Sequence, residues 1–238
     1  MPPDNSSQGS ETADERLAPR SSDYVAAAAR AVLGAAPFVG SLLNELVGVV
    51  VPNQRADRIA KFVLELEARI KPLEAQATEK LHSSEHFAEL LEEGLRQASR
   101  SLSDERRQYL ASLIANSISP EAIAQEESRH LLRILSELSD VEVVWLRFYV
   151  DQAMGGDREF REKHRDILRP ASRSMGQPQS ETDRAALQES YINHLTQLGL
   201  LDAEASRAGS TADRMIYRIS SLGRLLLRTI GLQSRRVT

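Results

Sequence analysis

Residues 131–146, LLRILSELSDVEVVWL, decide how this chain is divided. Ser139 stands three positions ahead of Glu142, between two runs of apolar periodicity. That spacing is a capping box, in which a serine hydroxyl and a glutamate carboxylate each satisfy a backbone N–H at the start of a helix. One helix is therefore expected to stop near Leu138 and another to start near Asp140. Upstream the chain reads as a helical bundle, residues 23–138. Downstream, 139–238 reads as a winged-helix-like domain with one small β-hairpin. The fold class expected is mainly α.

Working upstream, Ser119-Pro120-Glu121 starts the helix that precedes Ser139, with proline at a first helical position where its missing N–H is harmless. Ile123, His130, Leu131, Ile134, Leu135 and Leu138 continue its pattern. Ser103 caps an earlier helix whose first turn carries Asp104 and Glu105, acids that suit the positive end of a helix dipole. Its expected inner face is Tyr109, Leu110, Leu113, Ile114 and Ile118. Before it, Leu81, Phe87, Leu90, Leu91 and Leu95 form a stripe opposite Glu89, Glu92 and Glu93, and Gly94 weakens the helix near its end. Ile59, Phe62, Val63, Leu66, Ile70 and Leu73 recur at steps of three and four, with Pro72 ending or kinking that helix. Short connections between such helices imply a bundle.

The front of the chain differs. Residues 1–22 are rich in Ser, Asp, Glu, Pro and Gly and bury too little apolar area to offset ordering, so a disordered leader is expected. It has no basic region followed by an apolar core, so it is not read as a secretory signal. Residues 24–51, YVAAAARAVLGAAPFVGSLLNELVGVVV, are uncharged from Ala31 to Asn44. A spanning helix needs roughly 17 to 25 mostly apolar residues, and Gly34, Pro37 and Gly40 favour two pieces joined by a kink. The first reading is a kinked helix or hairpin in the core. A conditional membrane-inserting or self-associating segment comes second, and a constitutive anchor third.

Downstream of Ser139, Val143, Val144, Trp145, Phe148 and Tyr149 mark a core helix, and the charged run 157–167 a short second one. Residues 170–181 read as a polar loop, and 183–198 as a helix with Leu187, Tyr191, Ile192, Leu195 and Leu198 at helical spacing. Gly199 is its expected C-cap. Leu200-Leu201 and Met215–Ile219 flank a polar stretch and are expected to pair as strands, and 221–231 closes the chain as a helix.

Composition narrows the function classes. The chain of 238 residues is 41% hydrophobic and 27% charged, which suits a globular body. A net charge of −4 argues against a nucleic-acid magnet over the whole surface, though not against a local basic patch. The absence of cysteine removes disulfides, thiolate metal sites and thiol nucleophiles, and fits a cytoplasmic protein.

Three constellations come under test. His82-Ser-Ser-Glu85-His86 matches the inverted zinc-protease pattern, since histidines at i and i+4 can face one metal. No third ligand is marked, and polar surface is the simpler account. Glu126, Glu127 and His130 include one Glu-x-x-His, a motif that di-metal bundles need twice. A packed, hydrogen-bonded histidine is the expectation there. For nucleic acid, the candidate recognition helix opens at Ser180-Glu181-Thr182-Asp183-Arg184 and continues through Gln188, Glu189, Asn193 and His194. Its opening carboxylates oppose a phosphate backbone. Arg207, Arg214 and Arg218 around the hairpin are the best phosphate contacts, with Arg224, Arg228, Arg235 and Arg236 beyond. No phosphate-cradling loop, serine-hydrolase elbow or triad is present in recognisable form, and no cofactor is expected.

From Phe87 to Leu232 the order of segments resembles that of the Abi-alpha proteins, bacterial helical proteins associated with abortive infection. The similar parts are LLEEGLRQASRSLSDERRQYLASLIANSIS, HLLRILSELSDVEVVWLRFY, LTQLGLL and YRISSLGRLLL. The resemblance implies a predominantly helical protein of phage defence, with a winged-helix-like end and no catalytic residues to carry over. The expected function is that of a non-enzymatic interaction protein of phage defence or stress response, working through self-association or through membrane engagement by residues 24–51, cytoplasmic and peripheral to the inner membrane on activation. A winged-helix DNA-binding regulator is the alternative, and a metal-dependent hydrolase the third.

Overall fold

The computed structural model describes residues 53–73, 84–118, 125–152, 157–171, 176–205 and 215–232. Its elements are α1 (Asn53–Ile70), α2 (Glu85–Arg100), α3 (Asp104–Asn116), α4 (Gln125–Glu137), α5 (Asp140–Phe148), α6 (Arg158–Lys163), α7 (Arg165–Leu168), α8 (Gln179–Gln197), β1 (Leu201–Ala205), β2 (Met215–Ile219) and α9 (Ser221–Thr229). The protein is mainly helical with one small antiparallel hairpin, as expected. The expectations for residues 1–22 and 24–51, for Leu81, for the Pro120 helix start and for Ile123 lie outside the described residues.

The corner at Ser139 forms as its spacing dictates. The Ser139 hydroxyl accepts the Glu142 N–H at 3.2 Å, and the Glu142 carboxylate accepts the Ser139 N–H at 2.7 Å. The corner is also pinned from outside. Arg106, whose side chain is 12% exposed, donates to the Leu135 carbonyl at 2.7 Å, to the Leu138 carbonyl, and to Asp140 at 2.8 Å. Ser103, the N-cap of α3, donates its hydroxyl to the other Asp140 oxygen at 2.6 Å. A helix end leaves four carbonyls without intrahelical partners, and here a cation from α3 takes up two carbonyls of the α4–α5 corner.

Helix α3 is the centre of the packing. Leu110, Ala111, Ser112, Leu113, Ile114 and Ala115 are buried in succession, so it has no wet stripe along that stretch. Against it lie Phe62, Val63, Leu66 and Ile70 of α1 and Phe87, Leu90, Leu91 and Ala98 of α2. Gly94 does not end its helix, which runs on to Arg100. A Cβ there would collide with Ile114 Cδ1 and come within 3.3 Å of Phe62, so the glycine lets the three helices approach. On α4 the expectation for His130 is corrected: it is exposed, and Ser128 joins Leu131, Leu132, Ile134 and Leu135 on the buried face. Positions 128, 131, 132 and 135 share one helical face, which residue 130 does not.

Beyond the corner, Val143, Val144, Trp145, Leu146 and Tyr149 are buried. The run 157–167 becomes two short helices broken at His164, the first capped by Asp157. Helix α8 begins at Gln179, one turn before the expected start at Asp183. The Pro178 carbonyl accepts the N–H groups of Glu181 and Thr182, and Glu181 pairs with Arg169, which supplies the first turn with partners. Gly199, at φ +70°, ends α8 in the left-handed region that glycine takes without strain. The strands pair from Leu201 with Ile219 to Ala205 with Met215. Helix α9 then folds back so closely that a Cβ at Gly223 would collide with the Leu200 carbonyl oxygen. Asn116 of α3 donates to the Thr229 carbonyl at 2.7 Å, and the buried apolar residues form one cluster from Phe62 to Ile230.

Candidate functional site

The polar residues of α5 reach three different helices. Asp140 is held by α3, as above. Glu142, almost wholly buried, accepts from Ser139 on one oxygen and from the His194 ring of α8 on the other, at 2.6 Å from Nδ1. Burial pushes the Glu142 carboxyl up. The Ser139 N–H, the His194 ring and the Ser139 hydroxyl together outweigh it and hold the group below its ordinary value. Arg147, buried, pairs with Asp151 at 3.0 Å and Asp157 at 3.2 Å, and its guanidinium lies 5.1 Å from the Phe160 ring centre. Asp157 also caps α6, so one carboxylate joins a helix start to a buried cation. His164 packs beside Phe160, and burial, with Lys163 nearby, lowers its pKa against the pull of Glu105.

These bonds consume much of the expected recognition helix. Glu181 is paired with Arg169, and Arg184, the one arginine of α8, donates to the Asp166 carbonyl. Gln188 accepts the Ala171 N–H at 3.1 Å and donates to the Arg169 carbonyl at 2.7 Å. His194 is turned to Glu142. Beyond its first two residues, what α8 shows to solvent is Asp183, Ala186, Leu187, Glu189, Ser190, Asn193 and Gln197. Along it runs an open polar groove of about 510 Å³, lined among the described residues by Ala186, Glu189, Ser190, Asn193, His194 and Gln197. Leu187, expected inside, is 55% exposed, a correction to the apolar spacing that grouped it with Tyr191 and Leu195.

The remaining candidates are scattered. Glu85 is exposed in the first turn of α2, and His82 lies outside the described residues. His86 is half-buried, with Nε2 enclosed and without a hydrogen-bond partner among the described residues. Glu126, Glu127 and His130 are exposed on α4. No group of three metal-ligating side chains occurs among the described residues. Arg218 faces Asp202 across the hairpin and lies 3.9 Å from Glu204, so carboxylates surround its charge. Arg207 and Arg214 lie outside the described residues. Arg224 and Arg228 are exposed on α9. No helix among the described residues is long and apolar enough to cross a membrane.

The pairing of Glu142 with His194 was not legible in the sequence. The two stand 52 residues apart, one serving as a cap and the other on an exposed-looking helix. Arg106 likewise carries no local signal, because its partners come from another corner of the fold, whereas one partner of Arg147, Asp151, stands at the local i,i+4 spacing.

Comparison with known proteins gives one match: the model of the family described as Abortive infection alpha covers residues 54–230. No curated protein and no solved structure matches the chain.

Proposed function

The chain belongs to the abortive infection alpha family, and on that premise we propose that it is a phage-defence interaction protein that works from the cytoplasm through self-association. Its plan is proposed to be a bundle over 23–138 followed by a winged-helix-like module over 139–238. The observation that carries the reading is the surface of α8. A helix that reads a nucleic-acid groove presents cations to phosphates. Here Arg184 is bonded to the Asp166 carbonyl, while Asp183 and Ser190 face out beside an exposed Leu187. A carboxylate and a hydroxyl beside a large exposed apolar side chain, with no free cation among them, suit a protein partner.

Light scattering of the full-length protein over a range of concentration tests this reading. Concentration-dependent growth in mass is the expected result, and a monomer at every concentration and salt would overturn it. Flotation with liposomes in parallel asks whether residues 24–51 bring the protein to a membrane instead.

A further inference from the structure

The end of the bundle where α1 starts brings cations together with an exposed leucine. Arg58 of α1 donates to the Ser99 carbonyl of α2 at 3.2 Å, and one turn on, Phe62 packs on Gly94. The two helices therefore run antiparallel. Three residues back along α1, about 4.5 Å of rise, Arg55 comes level with the turn that joins α2 to α3. In that turn stands Leu102, 83% exposed, the most exposed large apolar side chain among the described residues. Arg100, two residues before it, is exposed as well.

Charge at this end is one-sided. Residues 53–61 and 99–104 set Arg55, Arg58, Lys61 and Arg100 against two acids, Asp57 and Asp104. Lys61 lies 4.0 Å from Asp57 and 3.8 Å from Asp104, and Asp104 also takes Arg107, so both acids are already matched. The side chains of Arg55 and Arg100 have no partner among the described residues, and Arg58 spends one donor on a neutral carbonyl. A protein of net charge −4 thus carries a local cationic surface beside its most exposed leucine. We propose that Arg55, Arg58, Arg100 and Leu102 form a face that docks on an anionic lipid surface. Arginines there meet headgroup phosphates while the leucine enters the acyl boundary. A bilayer is favoured over a nucleic acid by the sequence leading into α1, which is uncharged from Ala31 to Asn44, because cations accompany apolar runs at membrane interfaces. This contact does not require the self-association proposed above.

Flotation of the full-length protein with vesicles of phosphatidylglycerol and phosphatidylcholine, and with phosphatidylcholine alone, tests the face. Arg55→Glu/Arg100→Glu and Leu102→Ser alter it without removing any bond described above. Arg158→Glu/Arg228→Glu makes the same change in net charge at exposed arginines of α6 and α9. Thermal melting checks that each is folded. Wild type is expected to float with the anionic vesicles, and less so as salt rises. Arg55→Glu/Arg100→Glu should partition at least about tenfold more weakly. Leu102→Ser should lose about threefold or more and keep its salt dependence, and the α6/α9 variant should stay within about threefold of wild type. If wild type does not float at low salt, or if it floats and the first two variants float equally well, the face is wrong. An equal loss in Arg158→Glu/Arg228→Glu would mean that net charge alone is read, which also overturns the proposal. So would Arg55→Glu/Arg100→Glu keeping its flotation while losing binding to duplex DNA.

Discussion

Helices α3 and α8 both segregate apolar from polar residues only weakly around the helix, and the reasons are opposite. Helix α3 is enclosed by α1, α2, α4 and α9, so residues all around it are buried, and even Arg107 is 4% exposed. Helix α8 has Leu195 as its one fully buried residue and is otherwise half-exposed or exposed. A weak stripe therefore means either burial on all sides or burial on almost none, and polarity decides between them. In α3 the run LASLIA is small and apolar; in α8 the corresponding surface is acids, amides and hydroxyls. The first helix carries stability, and the second carries exposed surface, which the self-association proposed above would use.

The sharpest way to break this contrast is truncation at the two centres. Leu113→Ala in α3, at a fully buried site, is expected to cost roughly 2 to 5 kcal/mol by denaturant melting. A cost under about 1 kcal/mol would mean that α3 is not the core. Gly223→Ala comes next, at about 1 to 3 kcal/mol, because the atom in the way is the Leu200 carbonyl oxygen, which cannot rotate aside.

At the corner that joins the two regions, Ser139→Ala is expected to cost about 1 kcal/mol through the lost cap. Its partner brings a pH signature. The Glu142 carboxyl in the folded protein titrates below its unfolded value, so its contribution is complete at neutral pH and is lost as the pH falls through and below the ordinary glutamate range. In Glu142→Gln that acid-side loss should shrink, read as a flatter dependence of melting temperature on pH. An unchanged slope would show that other carboxylates govern acid unfolding.

The smallest effect on stability is expected at Leu187. Leu187→Ser should stay within about 0.5 kcal/mol of wild type, while the mass in solution falls. A large loss of stability there would place Leu187 in the core and remove α8 from consideration as a docking surface.

Much of the architecture was legible before any coordinates. The capping box at Ser139, the cap at Ser103 and the C-cap at Gly199 rest on local rules, in which a residue's partners lie within a turn or so, and the hairpin on two apolar runs flanking a polar stretch. The misreadings fall where partners are distant. Gly94 read only as a weak point near the end of its helix, because its reason, the approach of Ile114 and Phe62, comes from two other helices. His130 looked inward because it adjoins leucines, and Leu187 because its spacing matched.

The sequence by itself determined the corner at Ser139, the start of α3 at Ser103 and the end of α8 at Gly199, which faces of α1 and α2 are apolar, and which family the chain resembles. Tertiary structure alone decided that Arg106 stitches the α4–α5 corner, that Glu142 holds His194, and that α8 turns its cation inward and its acids outward. The physical reason is range. Capping and periodicity are satisfied within a turn or two of backbone, whereas the direction of a long charged side chain is set by whatever carbonyl or carboxylate the packed helices bring within about 3 Å.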